Sequence, residues 1–256
     1  MNKPVVAAQL YTLRDFTKNP ADFAKALKRV REIGYSAVQC SGHGPIDARE
    51  LARILKGEGL ACCATHIGLD RLRDHSQEVI DDHRLWGCRY AAVGGYFPKE
   101  QLNRPMFEQF AADFNAVAKK YAGSGLTIGY HNHSHEFINV GGVTPMQILF
   151  DKLGEELWFE IDTYWVAHGG GDPCQWITKA SGRIPCVHFK DMAMTQDHQQ
   201  HMAEIGEGNL NWPGIIKAAK AAGTEYFIVE QDDCYGKDPF DCLATSLRNL
   251  KAMGYE

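Results

Sequence analysis

Short apolar runs of strand length alternate with longer amphipathic stretches along the whole chain. The run 5–10 is followed by 20–33, where Phe23, Ala26, Leu27, Val30 and Ile33 recur at helical spacing and Gly34 stops the helix. Further strands are predicted over 36–40, 60–65, 90–93, 126–131, 157–162, 186–189 and 226–230. Helices are predicted over 47–56, 76–86, 105–121, 144–153, 173–180, 212–222 and 239–253. Each helix returns the chain to the same end of the sheet, so the strands must run parallel. About eight such units in one chain of this length favour a closed α/β barrel, a single (β/α)₈ TIM barrel over 1–256, above an open sheet. No Gly-x-Gly-x-x-Gly follows the first strand, and Gly169–Gly171 has neither that spacing nor a phosphate-loop lysine.

Composition narrows the function. With 45% hydrophobic and 23% charged residues, the chain reads as an ordinary folded protein whose core needs no staple. Its formal net charge of -5 and scattered Lys and Arg argue against nucleic acid or an anionic membrane as partner. No stretch approaches the ~20 apolar residues of a membrane span. The N-terminal apolar run is too soon interrupted for a signal peptide, so the expected location is cytoplasmic. The 8 Cys include no Cys-x-x-Cys pair and read as buried thiols.

In a barrel of this kind, reactive groups project from the C-terminal ends of the strands. Polar residues end most of the apolar runs: Gln9 and Tyr11; Cys40 and His43; His66; His131, Asn132 and His133; Asp162; His188; and Glu230 followed by Asp232. Burying such groups without partners would cost several kcal/mol, roughly 2–7 each. A divalent cation shared by His131, Asp162, His188 and Glu230 would offset that. Imidazole with carboxylate suits Mn, Co, Fe or Zn. His131 and His133 form a His-x-His pair, which in a strand would point both rings the same way. His75, His83, His198 and His201 fall outside the strand ends and receive no role.

These residues resemble the xylose isomerase-like barrel superfamily, the sugar phosphate isomerase/epimerase group. The resemblance rests on Gln-Leu-Tyr-Thr-Leu-Arg (9–14), Tyr-His-Asn-His (130–133), the Asp162 segment, His-Phe-Lys-Asp (188–191), Gly-Glu-Gly (206–208) and Val-Glu-Gln-Asp (229–232). It implies one divalent metal held by Glu, Asp, His and Glu. The last three match Asp162, His188 and Glu230, whereas His131 stands at the first position unless Glu136 supplies that carboxylate. Trp165 stands where such proteins often carry a His.

The resemblance implies isomerisation or epimerisation of a small sugar by removal of a proton beside a metal-bound carbonyl. Glu230 is then the base, and His133 or His66 returns a proton or binds a hydroxyl. Tyr11, Trp165, Lys190 and Glu136 are the expected substrate contacts. The alternative is a β-eliminating lyase, such as a dehydratase of a keto-inositol or a 3-keto-glycoside lyase, since a neutral His in place of one base suits one-base chemistry. The expected partner is a small carbohydrate, and family analogy suggests a homodimer.

Overall fold

The computed structural model describes residues 3–255; the chain ends Met1, Asn2 and Glu256, and with them the outer limits of the predicted domain, lie outside the described residues. The barrel strands are β1 (Val5–Gln9), β2 (Ala37–Cys40), β3 (Ala61–His66), β4 (Tyr90–Val93), β5 (Thr127–His131), β6 (Trp158–Asp162) and β7 (Cys186–Phe189). After β7 the chain forms a short antiparallel hairpin, β8 (Asp191–Met194) and β9 (Gln200–Ala203), before the last barrel strand β10 (Tyr226–Val229). The order β1-β2-β3-β4-β5-β6-β7-β10 closes on itself with every pair parallel, which makes the fold a (β/α)₈ barrel.

Local chemistry sets where the helices begin and end. The helix Pro20–Ile33 starts at Asn19, whose side chain accepts from Asp22 N, and stops at Gly34, whose φ of 116° admits no ordinary side chain. The same device of a capping Asn, Asp or Thr with a Pro in the first turn opens Arg104–Ala118, Pro145–Lys152, Pro173–Lys179, Trp212–Ala222 and Pro239–Ala252. One expectation is revised, and elements appear where the sequence predicted none. The first strand stops at Gln9 and passes into a 3₁₀ segment, Leu10–Phe16. Short helices at Leu69–Asp74 and Thr163–His168, and the β8–β9 hairpin, follow strands whose apolar runs hid them.

Alternate residues of each strand face opposite ways and build two cores. One lies between barrel and helices, where Phe189 stacks on Phe227 with ring centroids 4.2 Å apart. The other fills the barrel's interior: Ala7, Ala37, Cys63, Ala64, Ala92, Trp158, Cys186 and Ile228, with Val5, Tyr90 and Tyr226 packed against them. The barrel's interior is therefore filled by side chains at this level. All eight cysteines are free and six are buried.

Candidate metal centre

Two residues above the apolar interior layer, the inward positions turn polar. Gln9, Gln39, Glu160, His131 and His188 are buried there, and His66 is partly so. Gln9 Nε2 donates to Gln39 Oε1 (2.6 Å), and Gln39 Nε2 donates to Glu160 Oε1 (2.8 Å). The other oxygen of Glu160 faces three imidazoles: His66 Nε2 at 2.6 Å, His188 Nε2 at 3.2 Å and His131 Nδ1 at 3.6 Å. Burial alone would push Glu160 up, but His188 and His66 outweigh it and hold the carboxyl down to about 2.

The next layer up holds Asp162, Lys190 and Glu230. Glu230 Oε2 lies 3.0 Å from His188 Nδ1, and Asp162 Oδ2 lies 3.7 Å from the same nitrogen. Lys190 is fully buried and extends Nζ to 2.7 Å from Glu230 Oε2, 3.0 Å from Asp162 Oδ2 and 3.0 Å from both oxygens of Asp232. Burial disfavours its charge, but the three carboxylates outweigh that and drive the lysine well above its ordinary range. Glu230 is likewise pushed up by burial and pulled further down by Lys190 and His188. Asp232 goes the other way, to about 6, through burial and the neighbouring Glu230.

The four residues picked from strand ends thus converge: one donor atom each from His131, Asp162, His188 and Glu230 lies within 4.8 Å of the others. A second set overlaps it, formed by His66, His131, Glu160 and His188. His131 Nδ1 and Asp162 Oδ2 are buried with no hydrogen-bond partner; Lys190 is near Asp162 Oδ2 but outside hydrogen-bonding geometry. Such unpartnered atoms beside two carboxylates and two imidazoles are a donor set that fits a divalent cation. The cluster could hold a metal.

A cavity of about 510 Å³ opens above it, lined among others by Tyr11, His66, His131, His133, Trp165, Lys190, Glu230 and Asp232. The predicted wall residues Tyr11 and Trp165 and the predicted contact Lys190 therefore share one space with the metal cluster. His133 is there too, its Nδ1 unpartnered and its ring 5.4 Å from that of Trp165. Burial and the nearby Lys190 push it down to about 3, so it is neutral. The His-x-His pair is not a strand pair, because β5 ends at His131; the two rings stand at 87°.

Glu136 is the clear correction. It is completely buried and does not line the cavity. Its Oε1 accepts from Tyr130 Oη (2.5 Å) and its Oε2 from His133 N (2.8 Å), so both oxygens are taken by the scaffold. It reaches neither metal cluster and instead shapes the turn that carries His133. Asp191 is also structural: its carboxylate accepts from Gly206 N, Gly208 N, Leu210 N and Trp212 Nε1, clamping the Gly-Glu-Gly loop. His83, given no role, bonds Thr65 Oγ1 and Val79 O in the core. Sequence reasoning missed Glu160 and Gln39; the available signal was a polar residue two before Asp162 on the same strand face.

Residues 27–253 match the family model described as xylose isomerase-like TIM barrel. No curated protein matches the chain. Among solved structures, a sugar phosphate isomerase/epimerase from Parabacteroides distasonis ATCC 8503 is 21% identical, with 98% of this chain and 95% of that one covered and a TM-score of 0.82. An L-ribulose 3-epimerase is 17% identical over 98% and 94% of the chains, TM-score 0.74. A probable 3-DHS dehydratase from Bacillus anthracis is 13% identical over 96% and 98%, TM-score 0.74. At these identities the likeness is one of fold.

Proposed function

The chain belongs to the xylose isomerase-like TIM barrel family, and on that premise we propose that it isomerises or epimerises a small sugar or sugar derivative by proton transfer beside a carbonyl, with one divalent metal. The carrying observation is the convergence of orphaned, buried donors on the floor of a cavity of sugar size. His131 and His188, common to both donor sets, would hold the ion together with neighbouring carboxylate or imidazole. When bound, such an ion polarises a substrate carbonyl and stabilises charge on its oxygen.

The chain's own groups divide the remaining work. Glu230 lines the cavity and is held ionised by Lys190 and His188, so it is in the form that accepts a proton from carbon. Lys190, protonated and 2.7 Å from Glu230, supplies positive charge where the oxyanion develops. His66 is tied to Glu160 and lies 3.3 Å from Ser41 Oγ, whereas His133 has a free nitrogen and is the better placed relay to a sugar hydroxyl. Tyr11 and Trp165 offer apolar walls to a ring.

The test is incubation of the metal-supplemented protein with a panel of ketoses and keto-glycosides in D₂O, followed by NMR. Deuterium entering the carbon next to the carbonyl, lost in Glu230→Gln, supports the proposal. An unsaturated or chain-released product would move the assignment to the β-eliminating lyase. No exchange with any member, with or without Mn, Co, Zn or Fe, would leave a sugar-binding barrel.

A further inference from the structure

The two donor sets share His131 and His188 and differ in what already neutralises the rest. In the upper set, Asp162 and Glu230 have a cation built in. The ammonium of Lys190 is 3.0 Å and 2.7 Å from their oxygens, and its own accessible surface is nil. A dication on those same oxygens would stand against a fixed positive charge with little screening between them.

In the lower set the carboxylate is answered by imidazoles instead, which release their protons when they become metal ligands. Glu160 Oε2 is met by His66 Nε2, His188 Nε2 and His131 Nδ1 at 2.6, 3.2 and 3.6 Å. Ligands each ~2.1 Å from one ion stand roughly 3–3.5 Å apart, so these separations bracket a shared ion. His131 Nδ1 is buried, lacks a partner and lies beside this carboxylate. Three imidazoles with one carboxylate form a donor set for Zn, Fe, Co or Mn.

The surroundings are those of a ligand set. Glu160 Oε1 is oriented by Gln39 Nε2, and Ser41 Oγ lies 3.3 Å from His66 Nδ1. His188 Nδ1 sits 3.0 Å from Glu230 while Nε2 turns to the lower layer, the carboxylate–histidine–metal arrangement. An ion would displace Gln39 Oε1, 2.6 Å from His188 Nε2, and the proton shared by His66 Nε2 and Glu160 Oε2.

We propose that the divalent ion sits in the lower layer, on His66, His131, Glu160 and His188, and that Lys190 takes the cation's place between Asp162 and Glu230. This rests on the metal-dependent reading above and sharpens it: Glu230 is then free of the metal and available for proton transfer.

The experiment is equilibrium loading of the full-length protein with Zn²⁺ or Co²⁺ against a chelator, read by metal content and by the Co²⁺ visible spectrum. The wild type is expected to hold about one equivalent. Glu160→Gln and His66→Ala should each weaken the ion at least about tenfold, while Asp162→Asn keeps it within about threefold, since Asp162 is neither a ligand of the lower site nor hydrogen-bonded to one. Circular dichroism of each variant separates loss of metal from loss of fold, and any one folded pair decides the matter. Loss of the ion in Asp162→Asn, or its retention in His66→Ala and Glu160→Gln, would overturn the lower site while leaving a metal-dependent enzyme intact. A wild type that holds no ion at all would instead sink the metal-dependent reading itself.

Discussion

The floor and the mouth of this barrel lie on the same strands and obey different physics. Along the inward face, Gly129 gives way to His131, Trp158 to Glu160, Cys186 to His188, Ile228 to Glu230, Ala37 to Gln39 and Ala64 to His66. Two residues advance a strand by only about 6.6 Å. Within that distance the interior passes from shape-packed apolar groups to mutually neutralising charges. The floor holds by filling space, so a change there should cost stability and leave the chemistry alone. At the mouth each charge is buried because another answers it, so a change should disturb both.

The largest break is expected at Lys190. Lys190→Met leaves Asp162, Glu230 and Asp232 buried without their common cation, and removing one partner of a buried ion pair typically costs about 3–5 kcal/mol. Urea unfolding at neutral pH measures it. Adding Asp232→Asn should recover part of the loss, because it removes one of the stranded charges. A Lys190→Met protein as stable as wild type would mean that the mouth is not held by charge balance.

Trp158→Ala is the matching test below. Trp158 is nearly inaccessible and packs edge-on against Tyr90 at 5.6 Å. Truncation should cost about 3 kcal/mol, at the lower end of large aromatic deletions. Divalent-ion affinity, measured by chelator competition, should stay within about twofold, as expected for a site whose ligand shell and supports are untouched. A tenfold loss of affinity would show that floor and mouth are not separable. Gly129→Ala probes the same contact more gently. A Cβ there would meet Trp158 at 2.4 Å, and overpacking of this kind costs about 1–3 kcal/mol. In the double variant with Trp158→Ala the clash with the ring disappears while that with the residue 158 carbonyl oxygen, at 2.6 Å, stays, so part of the penalty should be recovered, a coupling that a thermal-melt cycle can read.

The same contrast explains what could be read from the sequence. Strand and helix periodicity exposes the barrel because eight repeats of one unit leave few alternatives. His131, Asp162, His188 and Glu230 were legible because each polar group closes an apolar run. Glu160 was not, since a single polar residue inside Trp-Phe-Glu-Ile-Asp looks like ordinary alternation until closure of the barrel brings His66, three strands earlier in the chain, to 2.6 Å from it. Lys190 could be named as a contact, but its place between two candidate ligands depends on where β7 and β10 lie side by side. Glu136 misled because sequence distance from His133 says nothing of the turn, Ser134 to Phe137, that directs its carboxylate back onto Tyr130 and the chain.

Glu136 also supplies the smallest and most discriminating test, because it is a buried carboxyl near the mouth that takes no part in the charge balance there. Burial, only partly offset by the Tyr130 hydroxyl and the His133 amide, pushes it up to about 8 from an ordinary carboxyl range near 4.5. The folded protein therefore keeps a proton that the unfolded chain releases over this interval. The stability that proton represents is complete below about pH 4.5 and is lost as pH rises through about 8. Its slope in between is at most about 1.4 kcal/mol per pH unit. Asp232, also raised, contributes a similar decline, so the comparison must be with a variant and not with theory. Glu136→Gln, which stays neutral, can keep its carbonyl oxygen toward His133 N and donate its amide N–H to Tyr130 Oη; it should flatten the stability profile between pH 5 and 8 relative to wild type, as chemical denaturation across that range would show. Turnover per folded molecule should be little changed. If instead turnover collapses while the pH profile of stability stays as steep as in wild type, Glu136 belongs to the reacting groups after all, and the division between scaffold and chemistry at this end of the barrel runs through a different residue.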